Sequence, residues 1–277
     1  MADATAPSTV PSTVPSREWD AEAYHRISEP QFAWGMKVLA ELSLCGSECA
    51  LDAGCGSGRL TAELRARLPR GTVIAADLSA NMARAAADTL GTRFGRPPAV
   101  VCADLVRLPF ANTFDVVFST ATFHWVLDHP ALWRSILGAL APGGRLHAQC
   151  GGGPNLARIH ARALALMESG ELAPYFAAWT DPWRFDDART AERELRDAGF
   201  ASVETSLEPA PTRFAGAADF HAFIEKVVLR HHVARLPGDH RRFREHFLHA
   251  LTEQAAGDDP PYVLDYWRLN LRARRPG

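Results

Sequence analysis

Lysine is almost absent from this chain, with only Lys37 and Lys226 present, and its 30 basic residues do not outnumber its 32 acids. A formal charge of −2 removes the electrostatic footprint of a nucleic-acid binder. Arginine in place of lysine, beside abundant alanine, glycine and proline, reads as a compositional bias and not as a functional signal. No apolar run has the length that crosses a bilayer, so no membrane partner is expected. The first residues lack the basic start and apolar core of a secretory signal, which points to a cytoplasmic location. The five cysteines are odd in number and have no framework spacing, so reduced thiols are expected. Cys45 and Cys49 lie close together, but no second ligand pair accompanies them, and no metal is expected.

Against these absences stand the ordinary apolar and charged fractions of a globular protein, 47% and 22%. A tandem Pro-Ser-Thr-Val repeat at residues 7–16 predicts a disordered leader over 1–17, with one ordered domain over 18–277. Residues 20–42 carry apolar side chains at helical spacing with a break at Pro30. Strands and helices then alternate. Strands are expected at 72–77, 99–102, 114–118 and 145–150, after a first strand that ends at Asp52. Helices are expected at 59–68, 79–90 and 129–140. That alternation is the pattern of an α/β, doubly wound parallel sheet. Beyond 151 the spacing predicts helices at 155–169, 191–198, 217–234 and 239–256, and strands at 202–207 and 262–274.

The chemistry concentrates where the first strand runs into Gly54-Cys55-Gly56-Ser57-Gly58. Glycine tolerates positive φ and has no Cβ, so backbone can approach a nucleotide-like ligand there. A dinucleotide fingerprint would need a third glycine at 59, but that residue is Arg59. Asp77 closes the second strand, where a carboxylate can accept from both hydroxyls of a ribose.

The run Asp52-Ala53-Gly54-Cys55-Gly56-Ser57-Gly58 with Asp77 resembles the first motifs of class I S-adenosyl-L-methionine (SAM) methyltransferases. Across 24–144 the chain resembles most closely their trans-aconitate and juvenile-hormone-acid small-molecule group. The resemblance implies a mostly parallel seven-stranded Rossmann-like sheet in the order 3-2-1-4-5-7-6, with the last strand antiparallel. It also implies an α-helical lid from about 154–190 and 217–256. SAM would be the cofactor and S-adenosyl-L-homocysteine the product. Asp52, Gly54, Gly56 and Gly58 would carry the methionine part, Asp77 the ribose, and Leu78, Met82, Asp104 and Leu105 the adenine. Ser119 would lie near the sulfonium, while Tyr24 and Gln31 would cover the cofactor and meet its carboxylate.

After the fourth strand, His124 and Trp125 are the candidates for the acceptor pocket, with His124 the candidate for direct chemistry. Asp128 and His129, just before Pro130, read as caps. Trp179, Trp183 and Phe185 could supply apolar walls, and Arg230 and His231 stand out in a basic lid segment that also reads as solvated helix faces. Asp259-Pro260-Pro261-Tyr262 spells an adenine-N6 DNA methyltransferase signature, but it lies far from the end of the fourth strand, where that chemistry belongs. The resemblance implies methyl transfer to a small metabolite, expected to be anionic, by O-methylation of a carboxylate. Two alternatives stay open at this point. One is C- or N-methylation in specialised metabolism, including a prenyl diphosphate alkene, with Glu168, Glu171 or His124 removing a proton. The other is a SAM-binding scaffold or a cyclase without methyl transfer.

Overall fold

The strand Cys49–Ala53 (β1) lies inside the sheet with a neighbour on each side, and almost every side chain in it is buried. The computed structural model describes residues 18–19, 29–95, 99–236 and 241–277. The leader expected at 1–17 and the candidate Tyr24 lie outside the described residues. The first described helix is Glu29–Glu41 (α1). Pro30 lies in its first turn and does not interrupt it, because a helix makes no use of the N–H that proline lacks there.

From β1 the chain runs through Arg59–Ala66 (α2), Thr72–Asp77 (β2), Ala80–Phe94 (α3), Ala99–Cys102 (β3), Phe114–Thr120 (β4), His129–Ala139 (α4) and Leu140–Gly151 (β5). Ser79 caps α3 by accepting from Met82 N at 3.2 Å. Asp128 caps α4 by accepting from Ala131 N at 2.9 Å, with Pro130 in the first turn. Then come Ala157–Met167 (α5), Ala173–Phe176 (α6), Ala188–Asp197 (α7), Ala201–Pro209 (β6), Thr212–Arg213 (β7), Ala217–Phe223 (α8), Arg230–Arg235 (α9), Arg241–Ala256 (α10), Val263–Leu264 (β8) and Trp267–Arg274 (β9).

The main sheet has seven strands in the order β3-β2-β1-β4-β5-β9-β6. The first five are parallel, and β9 runs antiparallel to both β5 and β6. This is the expected order. Two expected elements divide. The helix expected at 217–234 breaks at a wide turn, Ile224–Val228, closed by Leu229 N donating to Ile224 O at 2.7 Å. Such widened turns occur frequently at functional sites, and Arg230 and His231 follow this one directly. The strand expected at 262–274 divides at Asp265-Tyr266. Its first part pairs with β7 in a separate ribbon, and only β9 joins the main sheet.

One core fills the space between sheet and helices around Phe123, Trp133 and Leu146. A second is built by α5, α8 and α10 on themselves, around Phe220, Phe247 and Leu251. Removing one such buried ring costs about 3–5 kcal/mol, so these helices form a cohesive unit. Tyr262 of the Asp259–Tyr262 segment packs on Phe220 in that unit, 5.8 Å between ring centroids. No described helix is long and apolar enough to cross a membrane.

Candidate active site

At the carboxyl end of β1, Gly54 N and Cys55 N both donate to Ala76 O, at 2.8 and 3.0 Å, so the loop is stitched to β2. Gly54 has φ +83° and would place a Cβ 2.2 Å from Thr122, so β4's end closes over it. Gly56 has φ +52° with nothing within 4 Å of a built Cβ, and its peptide faces open space. Its N–H donates to Asp77 Oδ2 at 2.9 Å, while Ser79 N donates to Asp77 Oδ1 at 2.9 Å. Asp77 therefore clamps the glycine loop to the start of α3. Burial holds its carboxyl above the usual range, against the pull of the Ser79 and Gly56 N–H groups. Asp52, 2% exposed, accepts from Thr61 Oγ1 at 2.6 Å. Burial pushes its carboxyl up to about 7, with Thr61 opposing the shift and the charge of Asp77 adding to it.

These groups open on a cleft of about 520 Å³. Gln31, Asp52, Gly54, Gly56, Asp77, Leu78, Met82, Asp104, Leu105, Trp125, Arg230 and His231 all line it. Two expected members do not. Gly58 turns away, where a Cβ would meet Ala86 Cα at 2.9 Å, so it serves the packing of the loop on α3. Ser119 is buried and donates to Ala53 O at 2.6 Å, because strand alternation turns it from the cleft; Thr120, Ala121 and Thr122 border the cleft instead. Asp104 lines the cleft and also caps the turn Leu105–Arg107, accepting from Val106 N at 3.2 Å.

Past Ala121 and Trp125 lies a smaller pocket of about 40 Å³, bordered also by Trp19, Gln31, His124, His160, Trp183, Phe185 and Arg268. His160 and Trp183 stack at 4.4 Å between centroids. Trp179, expected as a wall, instead stacks on His232 behind it at 4.3 Å. His124 is buried; its Nδ1 lies 3.2 Å from Gly151 N and accepts that N–H, and its carbonyl accepts from Arg184 N at 2.8 Å. Burial drives its pKa well below the usual value, with the neighbouring Arg268 and His129 adding to the shift. The ring is thus neutral, and since Nδ1 is an acceptor the proton resides on Nε2. His129, expected as a cap, braces the same turn, with Nδ1 2.7 Å from Asp186 and Nε2 3.1 Å from Phe123 O. Among the described residues His129, Asp186 and Glu194 have metal-like spacing. Arg184 ties Asp186 and Glu194 together at 2.9 and 2.5 Å, making the cluster an ion-pair network.

Of the basic lid residues among those described, only Arg230 and His231 reach the cleft. Arg241, Arg242 and Arg244 pair with Glu245, Glu171 and Glu225 away from it, and His240 lies outside the described residues. Arg230 stacks over Trp19 at 3.8 Å. Sequence reasoning missed Trp19, Thr122, His160 and Arg268; none belongs to a motif.

A doubly wound sheet with a glycine cradle and an acid at the next strand's end defines an enzyme that binds a nucleoside cofactor. Residues 51–148 match the family model described as a methyltransferase domain. A trans-aconitate 2-methyltransferase of Methylobacterium radiotolerans is 30% identical over 253 residues, 88% of this chain and 91% of that protein. An uncharacterized methyltransferase of Schizosaccharomyces pombe is 26% identical over 261 residues, 93% of this chain and 98% of that protein. Among solved structures, phosphoethanolamine N-methyltransferase 2 of Haemonchus contortus in complex with S-adenosyl-L-methionine superposes with a TM-score of 0.59. It is 16% identical, over 93% of this chain and 57% of that one. The chain belongs to the class I SAM-dependent methyltransferase family. It is an enzyme, and SAM is its methyl donor.

The cleft suits that donor on observations of its own. Gly56 leaves room for the ligand where a side chain would intrude. Gln31 Oε1 is buried without a hydrogen-bond partner, and a ligand ammonium would satisfy it. Asp77 and Asp52 line the same cleft, where their carboxyl groups would meet a diol and a cation.

Proposed function

We propose that the enzyme O-methylates a carboxylate of a small acid. The observation that carries this reading is the state of His124. Its Nδ1 is occupied by the Gly151 N–H and its ring is held neutral, so it presents an N–H donor to the pocket and not a base. The lid carboxylates Glu168 and Glu171 are both exposed and do not border the pocket. A phenol, an amine or a carbon acid must lose a proton, whereas a carboxylate arrives already ionised. When bound, SAM supplies a methyl on a sulfonium: the new C–O bond forms as the C–S bond breaks, the electron pair goes to sulfur, and no proton is released. The chain's part is to align and dehydrate. His124 Nε2–H would orient the acceptor, and Trp125, Trp183 and Phe185 would exclude water. The relative named trans-aconitate 2-methyltransferase supports the same acceptor class.

The test is a panel of carboxylic acids, phenols, amines and allylic diphosphates with methyl-labelled SAM. A label released as methanol by mild alkali is the expected product, and alkali-stable label on nitrogen, carbon or a phenol oxygen would overturn the reading. His124→Gln keeps an N–H donor and should retain roughly a tenth or more of kcat, with an unchanged pH profile. A general base would cost about 10²- to 10⁴-fold.

A further inference from the structure

The link between β5 and α5 carries a side-chain amide whose orientation its surroundings settle. Where β5 ends, Gly152 N donates to Trp267 O at 3.4 Å and Trp267 N donates to Asn155 Oδ1 at 2.9 Å. The Asn155 side chain thus takes the place of a strand partner at the start of β9. A backbone N–H can only donate, so the atom that faces it is the amide oxygen and the NH2 lies on the other side. Asn155 is 4% exposed and borders the inner pocket, and its Nδ2 donates to none of the described residues. A Cβ on Gly151 would lie 2.8 Å from that nitrogen and 2.9 Å from Phe185 Cε1, so only glycine lets the amide in beside the ring. Gly151 N also donates to His124 Nδ1 at 3.2 Å. His124 and Asn155 therefore flank one residue and border one pocket, each with an N–H that has no partner among the described residues. Buried polar groups are nearly always paired, so two such donors mark the place of a ligand oxygen.

We propose that Asn155 is a specificity-determining residue whose Nδ2–H, together with His124 Nε2–H, holds the oxygen of the acceptor carboxylate that is not methylated. This rests on the carboxylate reading above and deepens it. A neutral donor fixes the direction of an oxygen without neutralising it, so the other oxygen keeps its nucleophilicity and is turned toward the methyl group. Hydrogen bonds to an ionised acceptor are roughly twice as strong as those to a neutral one. The pair of donors thus selects an acid over the corresponding amide, and it holds the neutral methyl ester less tightly than the acid, which favours release of the product.

The test uses the full-length enzyme saturated with S-adenosylhomocysteine at pH 8, titrated calorimetrically with crotonate and benzoate and with their primary amides. Asn155→Asp keeps an oxygen for Trp267 N and exchanges the donor for a negative acceptor, whereas Asn155→Leu removes both. The wild type should bind the acids about 10- to 100-fold more tightly than the amides. Asn155→Asp should reverse that order, because an amide N–H can donate to the new carboxylate, and Asn155→Leu should erase most of the preference. A purely structural role, through Trp267 N alone, would leave Asn155→Asp with the wild-type order. Affinity for SAM should stay unchanged in both variants, since Asn155 does not line the cofactor cleft; that also reports that they fold. An acid preference retained in either variant, or a wild type that does not prefer the acids, overturns the donor role. The methylation panel reports separately. Methyl esters formed by Asn155→Asp at the wild-type kcat/KM refute the donor role alone, and an Asn155-dependent acid preference without any methyl ester refutes the carboxylate reading alone.

Discussion

Replacing Asp77 by alanine should abolish measurable SAM binding. The carboxylate holds Gly56 N and Ser79 N at 2.9 Å each and faces the cleft beside the open peptide of Gly56. A ribose diol would donate to it twice. Hydrogen bonds to a charged acceptor contribute about 1.5–3 kcal/mol each, so losing the pair weakens binding roughly 10²- to 10⁴-fold. Loosening of the glycine loop adds to that loss. Asp77→Asn separates the two contributions, because its one remaining oxygen can still accept from the loop or from the diol. Calorimetric titration with SAM, alongside a thermal melt, measures both. A folded Asp77→Ala protein that binds SAM within tenfold of wild type would remove Asp77 from the cofactor site.

SAM affinity should fall steeply below about pH 7 because of Asp52. Its buried carboxyl, pushed up to about 7, is largely protonated in the free enzyme under mildly acid conditions. The methionine ammonium of SAM would hold it ionised, so binding must expel a proton. The expected slope is about a tenfold loss of affinity per pH unit below 7 and none above it. Titrations at pH 6 in buffers of different ionisation enthalpy should show close to one proton released per SAM. Asp52→Asn should bind SAM more weakly and flatten the pH dependence. The sign for folding is opposite. The folded pKa is raised above the ordinary 3.8, so the group's contribution to stability is complete below about pH 4 and is lost as pH rises through 7. Asp52→Asn should therefore raise the melting temperature of the free enzyme at pH 8 more than at pH 4. Proton-independent SAM binding at pH 6 would show that Asp52 is ionised without the ligand.

The cofactor side of the molecule was legible in the sequence because its parts are local. Gly54 and Gly56 follow one strand directly, Asp77 ends the next, and Met82 lies one turn into the helix that Ser79 caps. Backbone conformation and strand ends place such residues with little help from distant chain. The alternation of β4 also held the correction for Ser119, since side chains of neighbouring strand residues point to opposite faces.

The inner pocket was not legible. Arg268, Asn270, Arg272 and Arg274 share one face of β9, and Leu269, Leu271 and Ala273 share the other, against the main core. Nothing in that alternation separates Arg268 from Arg272, which pairs at the surface with Glu41 at 2.5 Å. Trp34 of α1 and the walls of the inner pocket cover that end of the strand, which buries Arg268 and leaves Arg272 in solvent. The lid cations divide in the same way. The wide turn at Ile224–Val228 sends Arg230 to the cleft, while Arg242 on the next helix reaches only Glu171. Sequence leaves His124 a possible base, whereas in the fold Gly151, at the end of β5, occupies its Nδ1. Short-range pattern thus determined the fold and the nucleoside-binding loop, since both follow from backbone conformation and strand period. Tertiary packing decided the charge states and the inner pocket, because desolvation and hydrogen-bond partnership depend on which distant segment covers a residue.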